Sequence, residues 1–300
     1  MTPYILLALA NLFWSLNFII GKLVVGVIPP ITICFLRWGL PLLFYTAYSW
    51  KDITADLKTY RQHWRLILCL GFTGYCVNSL TVYEAVIYTS TINTSFINAF
   101  NPVVIALTGF LLYRYPVTRK QALGFFLALV GVIWIIFKGD PALILNLRIN
   151  IGDLFMVGSV VTWSIHTILY KKHAGSFPPK SLFTIMMLAG VALTLPLALA
   201  ENIVLGASWL ARVRLEHVIG IICLNVFPSV LAYRFWNTAL EKIPANKVAV
   251  SQYLIPVFTV IISLLFLGES LEQYQVAGGS LIFLGLVLVT NILSFTAASR

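Results

Sequence analysis

The sequence predicts an all-α polytopic membrane protein, with ten transmembrane helices arranged as two five-helix repeats of opposite orientation. Three observations predict it. The 300 residues are 60% hydrophobic and 10% charged, with mean hydropathy +0.92, whereas a soluble domain carries about 25% charged residues. Apolar stretches of spanning length recur along the whole chain. The second half also repeats the first at nearly constant offset, the signature of a duplicated unit.

The first span, 3–25, carries Asn11, Trp14, Asn17 and Lys22. No basic segment precedes it and no small-residue cleavage site closes it, so it reads as a span rather than a signal peptide. The second, 29–49, opens on Pro29-Pro30 and places Arg37 roughly 10 Å inside its outer end at about 1.5 Å per residue. The third, 64–86, holds Glu84, the one carboxylate well inside a span, and the fourth covers 91–113. The fifth, 118–137, has Gln121, Gly124 and Gly131. The sixth, 152–171, carries Trp163, His166 and Lys171, and the seventh, 178–200, opens on Pro178-Pro179. The eighth, 216–239, contains Tyr233, Arg234 and Asn237; the ninth, 245–267, contains Gln252 and Pro256; the tenth, 271–294, contains Gln275, Gly278 and Gly285.

The fourth span is the most informative. Thr94, Asn98 and Asn101 fall at i, i+4 and i+7 and so share one helical face. Pro102 has no N–H and is expected to leave the Asn98 carbonyl without its helical partner. Polar groups of this kind are tolerated in hydrocarbon only where they look into protein or a watery cavity. Pro256 stands in the same relation to Gln252 in the ninth span.

An offset of 149 places Trp14-Ser15 on Trp163-Ser164, Asn17 on His166, Lys22 on Lys171 and Pro29-Pro30 on Pro178-Pro179. An offset of 154 then places Asn98 on Gln252, Pro102-Val103 on Pro256-Val257, Gly124 on Gly278 and Gly131 on Gly285. Residues 1–138 form the first repeat, 139–151 a linker, 152–294 the second repeat and 295–300 a C-terminal tail. Five spans per repeat turn the second copy over in the membrane. With the N-terminus in the cytoplasm, thirteen Lys and Arg residues collect inside and five outside, which places both termini inside. That distribution accounts for the net charge of +10 without a nucleic-acid partner. The four cysteines lie in apolar spans with neither disulfide nor zinc spacing.

WSLNFIIGK in the first span, FLRW in the second, YRFWNTALEKIPANKVAVSQYLIPV across the eighth and ninth, and FLGESLEQYQVAGGSLIFLG into the tenth resemble the EamA-domain transporters of the drug/metabolite transporter (DMT) superfamily. The resemblance spans essentially the whole chain. It implies two inverted EamA repeats around a central cavity lined by helices 1, 3, 4, 6, 8 and 9, export of amino acids or other small metabolites, and a bacterial inner-membrane location. The chain departs from the pattern where Arg114-Tyr115 stands opposite Gly268-Glu269 and where Ser15 follows the first-span Trp.

These readings converge on a secondary transporter, an exporter of small amphipathic metabolites such as amino acids, working by alternating access around a midplane cavity. The candidate substrate-binding residues are Asn11, Trp14, Asn17, Asn98, Trp163, His166, Tyr233, Asn237 and Gln252, whose amides suit a substrate of low net charge and whose aromatic rings supply stacking walls or a cation-π surface. Pro102 and Pro256 are candidate gating elements, and Arg37 and Glu84 a structural ion pair. His166 is the candidate for proton coupling, which no clustered carboxylates support. The partners expected are a small-molecule substrate and the lipid bilayer, with no cofactor and no metal; monomer and homodimer are both open. A channel or facilitator is the alternative. An intramembrane enzyme lacks an H-E-x-x-H motif, a G-x-S-x-G elbow and paired buried carboxylates.

Overall fold

The computed structural model describes residues 2–114, 117–140, 142–143, 149–206, 208–240, 242 and 251–290. Every regular element among them is helical. In chain order these are α1 (Pro3–Val25), α2 (Pro30–Ala55), α3 (Trp64–Tyr88), α4 (Thr91–Tyr113), α5 (Arg119–Ile136), α6 (Ile151–His173), α7 (Pro179–Leu205), α8 (215–240), α9 (Leu254–Phe266) and α10 (Gln273–Thr290). The short helix Leu57–Gln62 joins α2 to α3. Among the described residues, α1 to α8 contain the eight helices long and apolar enough to cross a membrane, and α9 is a shorter apolar helix. The last two predicted spans run into 243–250 and 291–294, which lie outside the described residues.

The polarity is arranged for lipid. Leu43, Phe44, Ile203, Val204 and Phe266 point outward, whereas Asn11, Thr91, Thr94, Ser95 and Asp153 are fully buried. A chain in hydrocarbon has to satisfy its polar groups internally.

Two lengthwise pairings frame the molecule, α5 against α10 and α2 against α7. The first depends on absent side chains. A Cβ on Gly131 would lie 2.5 Å from the Gly278 carbonyl oxygen, and one on Gly285 would lie 2.4 Å from the Gly124 carbonyl oxygen. Since Gly124 and Gly278, and Gly131 and Gly285, are repeat mates, each repeat gives the other the same small-residue surface, which lets two backbones approach in a membrane. In the second pairing, Glu201 of α7 accepts the N–H groups of Ile31 (3.1 Å) and Thr32 (2.8 Å) and the Thr32 hydroxyl (2.8 Å). It thereby caps the first turn of α2 from another helix.

The inner helices are interrupted. Alpha-helical bonding in α4 stops after Asn98 and resumes at Asn101; a turn at Gln252 and Tyr253 precedes α9 at the matching place. The Gln252 carbonyl does not stay unpartnered as Pro256 led us to expect. It accepts the Ile255 N–H at 3.0 Å, because the chain tightens into a three-residue turn. Wide π turns interrupt α3 at Phe72–Val77 and α8 at Asn225–Leu231, and the 154-residue offset lays one nearly on the other.

Candidate functional site

The α4 interruption and the turn before α9 meet at a cavity of about 80 Å³, enough on this measure for about five to eight waters or one small solute. Trp14, Asn17 and Phe18 face it from α1, Arg37 from α2, Asn78 and Val82 from α3, Asn98 and Asn101 from α4, Ser159 and Trp163 from α6, Tyr233 from α8, and Gln252 and Ile255 at the start of α9. Both repeats contribute.

Several of the polar groups are held by one another or by residues behind the wall. Asn101 Nδ2 donates to Asn98 Oδ1 at 2.8 Å across the α4 interruption, and Asn101 Oδ1 is buried without a partner. Asn78 ties α3 to α6 by donating to the Ser159 carbonyl (3.0 Å) and hydroxyl (2.8 Å). The Tyr83 hydroxyl donates to Asn17 Oδ1 at 3.2 Å and accepts from Arg37 NH1 at 3.2 Å. Arg37 Nε donates to the Ser229 hydroxyl at 3.0 Å, and that hydroxyl donates to the Leu224 carbonyl at 2.8 Å inside the α8 π turn. On the aromatic side, Trp14 meets Tyr233 edge-on at 5.9 Å and Trp236 at 5.0 Å.

Trp14, Asn17, Asn98, Trp163, Tyr233 and Gln252 are thus gathered around one space. Asn11 and His166 are not. Asn11 donates to the Leu7 carbonyl (2.7 Å) and to Ser251 (2.9 Å), joining α1 to the residues before α9. His166 lies behind the cavity wall, where Nδ1 meets the Leu70 carbonyl at 3.0 Å and the ring stacks on Trp163 at 5.4 Å and on Tyr170 at 6.1 Å. A carbonyl only accepts, so Nδ1 carries a proton there. The Asn237 side chain lies outside the described residues. Thr94, expected on the Asn98 face, is turned back onto the Ser90 carbonyl at 2.5 Å.

The expected Arg37–Glu84 pair does not form. Arg37 makes its two hydrogen bonds to the neutral hydroxyls of Ser229 and Tyr83, and Glu84 has no bond to it among the described residues. The reason is rotational: on α3, Tyr83 turns toward Arg37 while its sequence neighbour Glu84 points about 100° further round the helix. The reading also missed Asn78, Ser159, Phe18, Val82 and Ile255. Asn78 carried a signal, an amide within an apolar span; the others carried none.

One end of the bundle carries a denser hydrogen-bond network. Lys22 Nζ donates to the Thr89 carbonyl at 3.1 Å and to the Val86 carbonyl, covering the last turn of α3. The Thr89 hydroxyl donates to Asp153 at 2.7 Å, and Gln275 donates to Asn93 at 2.5 Å. Glu269 accepts the Thr91 N–H and hydroxyl, both at 2.9 Å, and the Ile92 N–H at 3.1 Å, capping α4. The repeat mates of this cap differ. Both Gly268 and Arg114 end a helix in the left-handed region, at φ 64° and 53°, but the sequence mate of Glu269 is Tyr115, which has no carboxylate to offer a facing helix.

Comparison with known proteins decides what kind of molecule this is. The model of the EamA-like transporter family matches residues 1–137 and again 150–291. The chain belongs to the EamA-like transporter family. Within it, the chain is 27% identical to the uncharacterized transporter YyaM of Bacillus subtilis, over 97% of this chain and 94% of the relative. It is 23% identical to a probable amino-acid metabolite efflux pump of Salmonella typhimurium, over 94% and 92%. A solved crystal structure, 17% identical, matches with a TM-score of 0.63 over 99% of both chains, a likeness of fold. The EamA assignment makes this a multi-pass membrane protein of a transporter family.

Proposed function

We propose that the chain is a secondary transporter that carries a small metabolite by rocking two inverted five-helix repeats, 1–138 and 152–294, about the central cavity, as an exporter in the bacterial inner membrane with both termini cytoplasmic. The observation that carries this reading is a cavity walled by both repeats at their matching interruptions, with Asn98 and its mate Gln252 both in its wall. Broken helices beside a central site are how many transporters build a binding position between two gates. With the termini inside, the network of Lys22, Asp153, Glu269 and Gln275 lies at the outer end and forms the closed gate. The name borne by the Salmonella relative is consistent with amino-acid-like cargo.

Counterflow in proteoliposomes tests this. Vesicles preloaded with unlabelled amino acids and related metabolites should take up the same labelled compound with saturation, and Asn98→Ala/Gln252→Ala should abolish it. Flux that never saturates would instead establish a channel.

A further inference from the structure

The cavity has an unbalanced charge. Arg37 is 6% exposed and faces the cavity, and among the described residues it is the only ionised one in the lining; the other polar ones are amides, hydroxyls and indoles. Its hydrogen bonds go to the hydroxyls of Ser229 and Tyr83. Of the five N–H groups of a guanidinium, these bonds use two. Its carbon also lies 4.9 Å from the Trp38 ring and 5.9 Å from the Tyr83 ring, and these contacts fix the plane without neutralising the charge. A buried cation without a carboxylate partner is costly in a membrane and marks a substrate pathway.

We propose that Arg37 is the carboxylate anchor of the substrate and that the cavity selects a small organic monocarboxylate in preference to a zwitterion. A single planar guanidinium matches a single carboxylate through paired N–H···O bonds. A monocarboxylate leaves the occupied cavity neutral, an amino acid leaves it with one net positive charge, and an amine leaves it with two. Trp14, Phe18, Val82 and Ile255 provide an apolar surface for the body of the acid, and the Asn98 and Gln252 amides provide for a hydroxyl or keto group on it. The low net charge read from the amides alone is thereby replaced by a negative one. The inference rests on the transporter reading for calling the cavity a substrate site, but its test measures binding and not flux.

The purified full chain in detergent is titrated with matched probes, following its thermal stability: isocaproate, leucine, isocaproamide and isoamylamine, and the shorter series propionate, alanine, propionamide and ethylamine. The acid should bind about 10- to 100-fold more tightly than its amide, the worth of one charge-assisted interaction, with the amino acid between them and the amine weakest. Arg37→Gln should bring the acid-to-amide ratio close to one, while Arg37→Lys, which keeps the charge, should retain most of it. If Arg37→Gln does not fold, the wild-type series and Arg37→Lys decide. An acid that binds no better than its amide in either series, an amino acid that binds better than its des-amino acid, or a ratio that survives Arg37→Gln overturns the proposal. Acid-selective stabilisation without counterflow would keep this inference and remove the carrier reading; saturable counterflow without acid preference would do the reverse.

Discussion

At the residue scale, several positions are fixed by what stands next to them. A Cβ on Gly74 would lie 2.3 Å from His166 Nδ1, so the absence of a side chain there is what lets the imidazole reach the Leu70 carbonyl. Gly74→Ala should lower stability by about 1–3 kcal/mol, the usual cost of overpacking, read as a lower thermal midpoint in detergent; Gly26→Ala, where nothing lies within 4 Å, should stay near wild type. An unchanged midpoint for Gly74→Ala would show that His166 moves freely. Glu269→Gln keeps the shape of the α4 cap but removes its charge and turns one of its two accepting oxygens into an NH2 donor facing a backbone N–H, a loss of about 1–3 kcal/mol. The midpoint should fall modestly, and further in Glu269→Ala. Asn98, Trp163 and Gln252 could be read as cavity candidates from the sequence because amides, indoles and prolines recur there at repeat spacing. Arg37 was legible as an intramembrane charge, but its partners were not.

At the scale of the element, the α5–α10 contact is set by four glycines. Gly131→Val would push a branched side chain into the Gly278 carbonyl, 2.5 Å from its Cβ. Backbone yields less readily than a side chain, so the cost should reach the upper end of about 1–3 kcal/mol. Crosslinking of engineered cysteines across α5 and α10 should weaken in parallel. Helix positions followed from hydrophobic runs, with α1, α3 and α6 close to their predicted bounds. The π turns of α3 and α8 did not: nothing in FTGYCV announces one, and Pro228 in NVFPSVL announces an interruption but not its kind. In α3 the Leu70 carbonyl meets His166 of α6; in α8 Pro228 offers no N–H to the Leu224 carbonyl, which accepts the Ser229 hydroxyl instead, and that hydroxyl in turn holds Arg37.

At the scale of the whole molecule, the proposed gates are unequal. Glu269 clamps α4, whereas its repeat mate in the sequence is Tyr115, which has no carboxylate. Removing the clamp should shift the population toward the state open at the outer end. In a cysteine-free background carrying Asn17→Cys, a membrane-impermeant thiol reagent added outside should label Glu269→Ala several-fold faster than the parent. Equal rates would mean that Glu269 caps a helix and holds no gate.

The sequence by itself determined the membrane class, the helix order, the duplication and the EamA-like family, since composition, run length and internal offset are properties of the chain alone. It also marked an interior of amides and aromatic residues. Only the tertiary structure decided which of these share a space. A helix repeats every 3.6 residues, so its rotation and depth against its neighbours, and not its spacing, put Tyr83 rather than Glu84 beside Arg37. The same packing sent His166 behind the wall and left Arg37 as the single cation facing the cavity among the described residues.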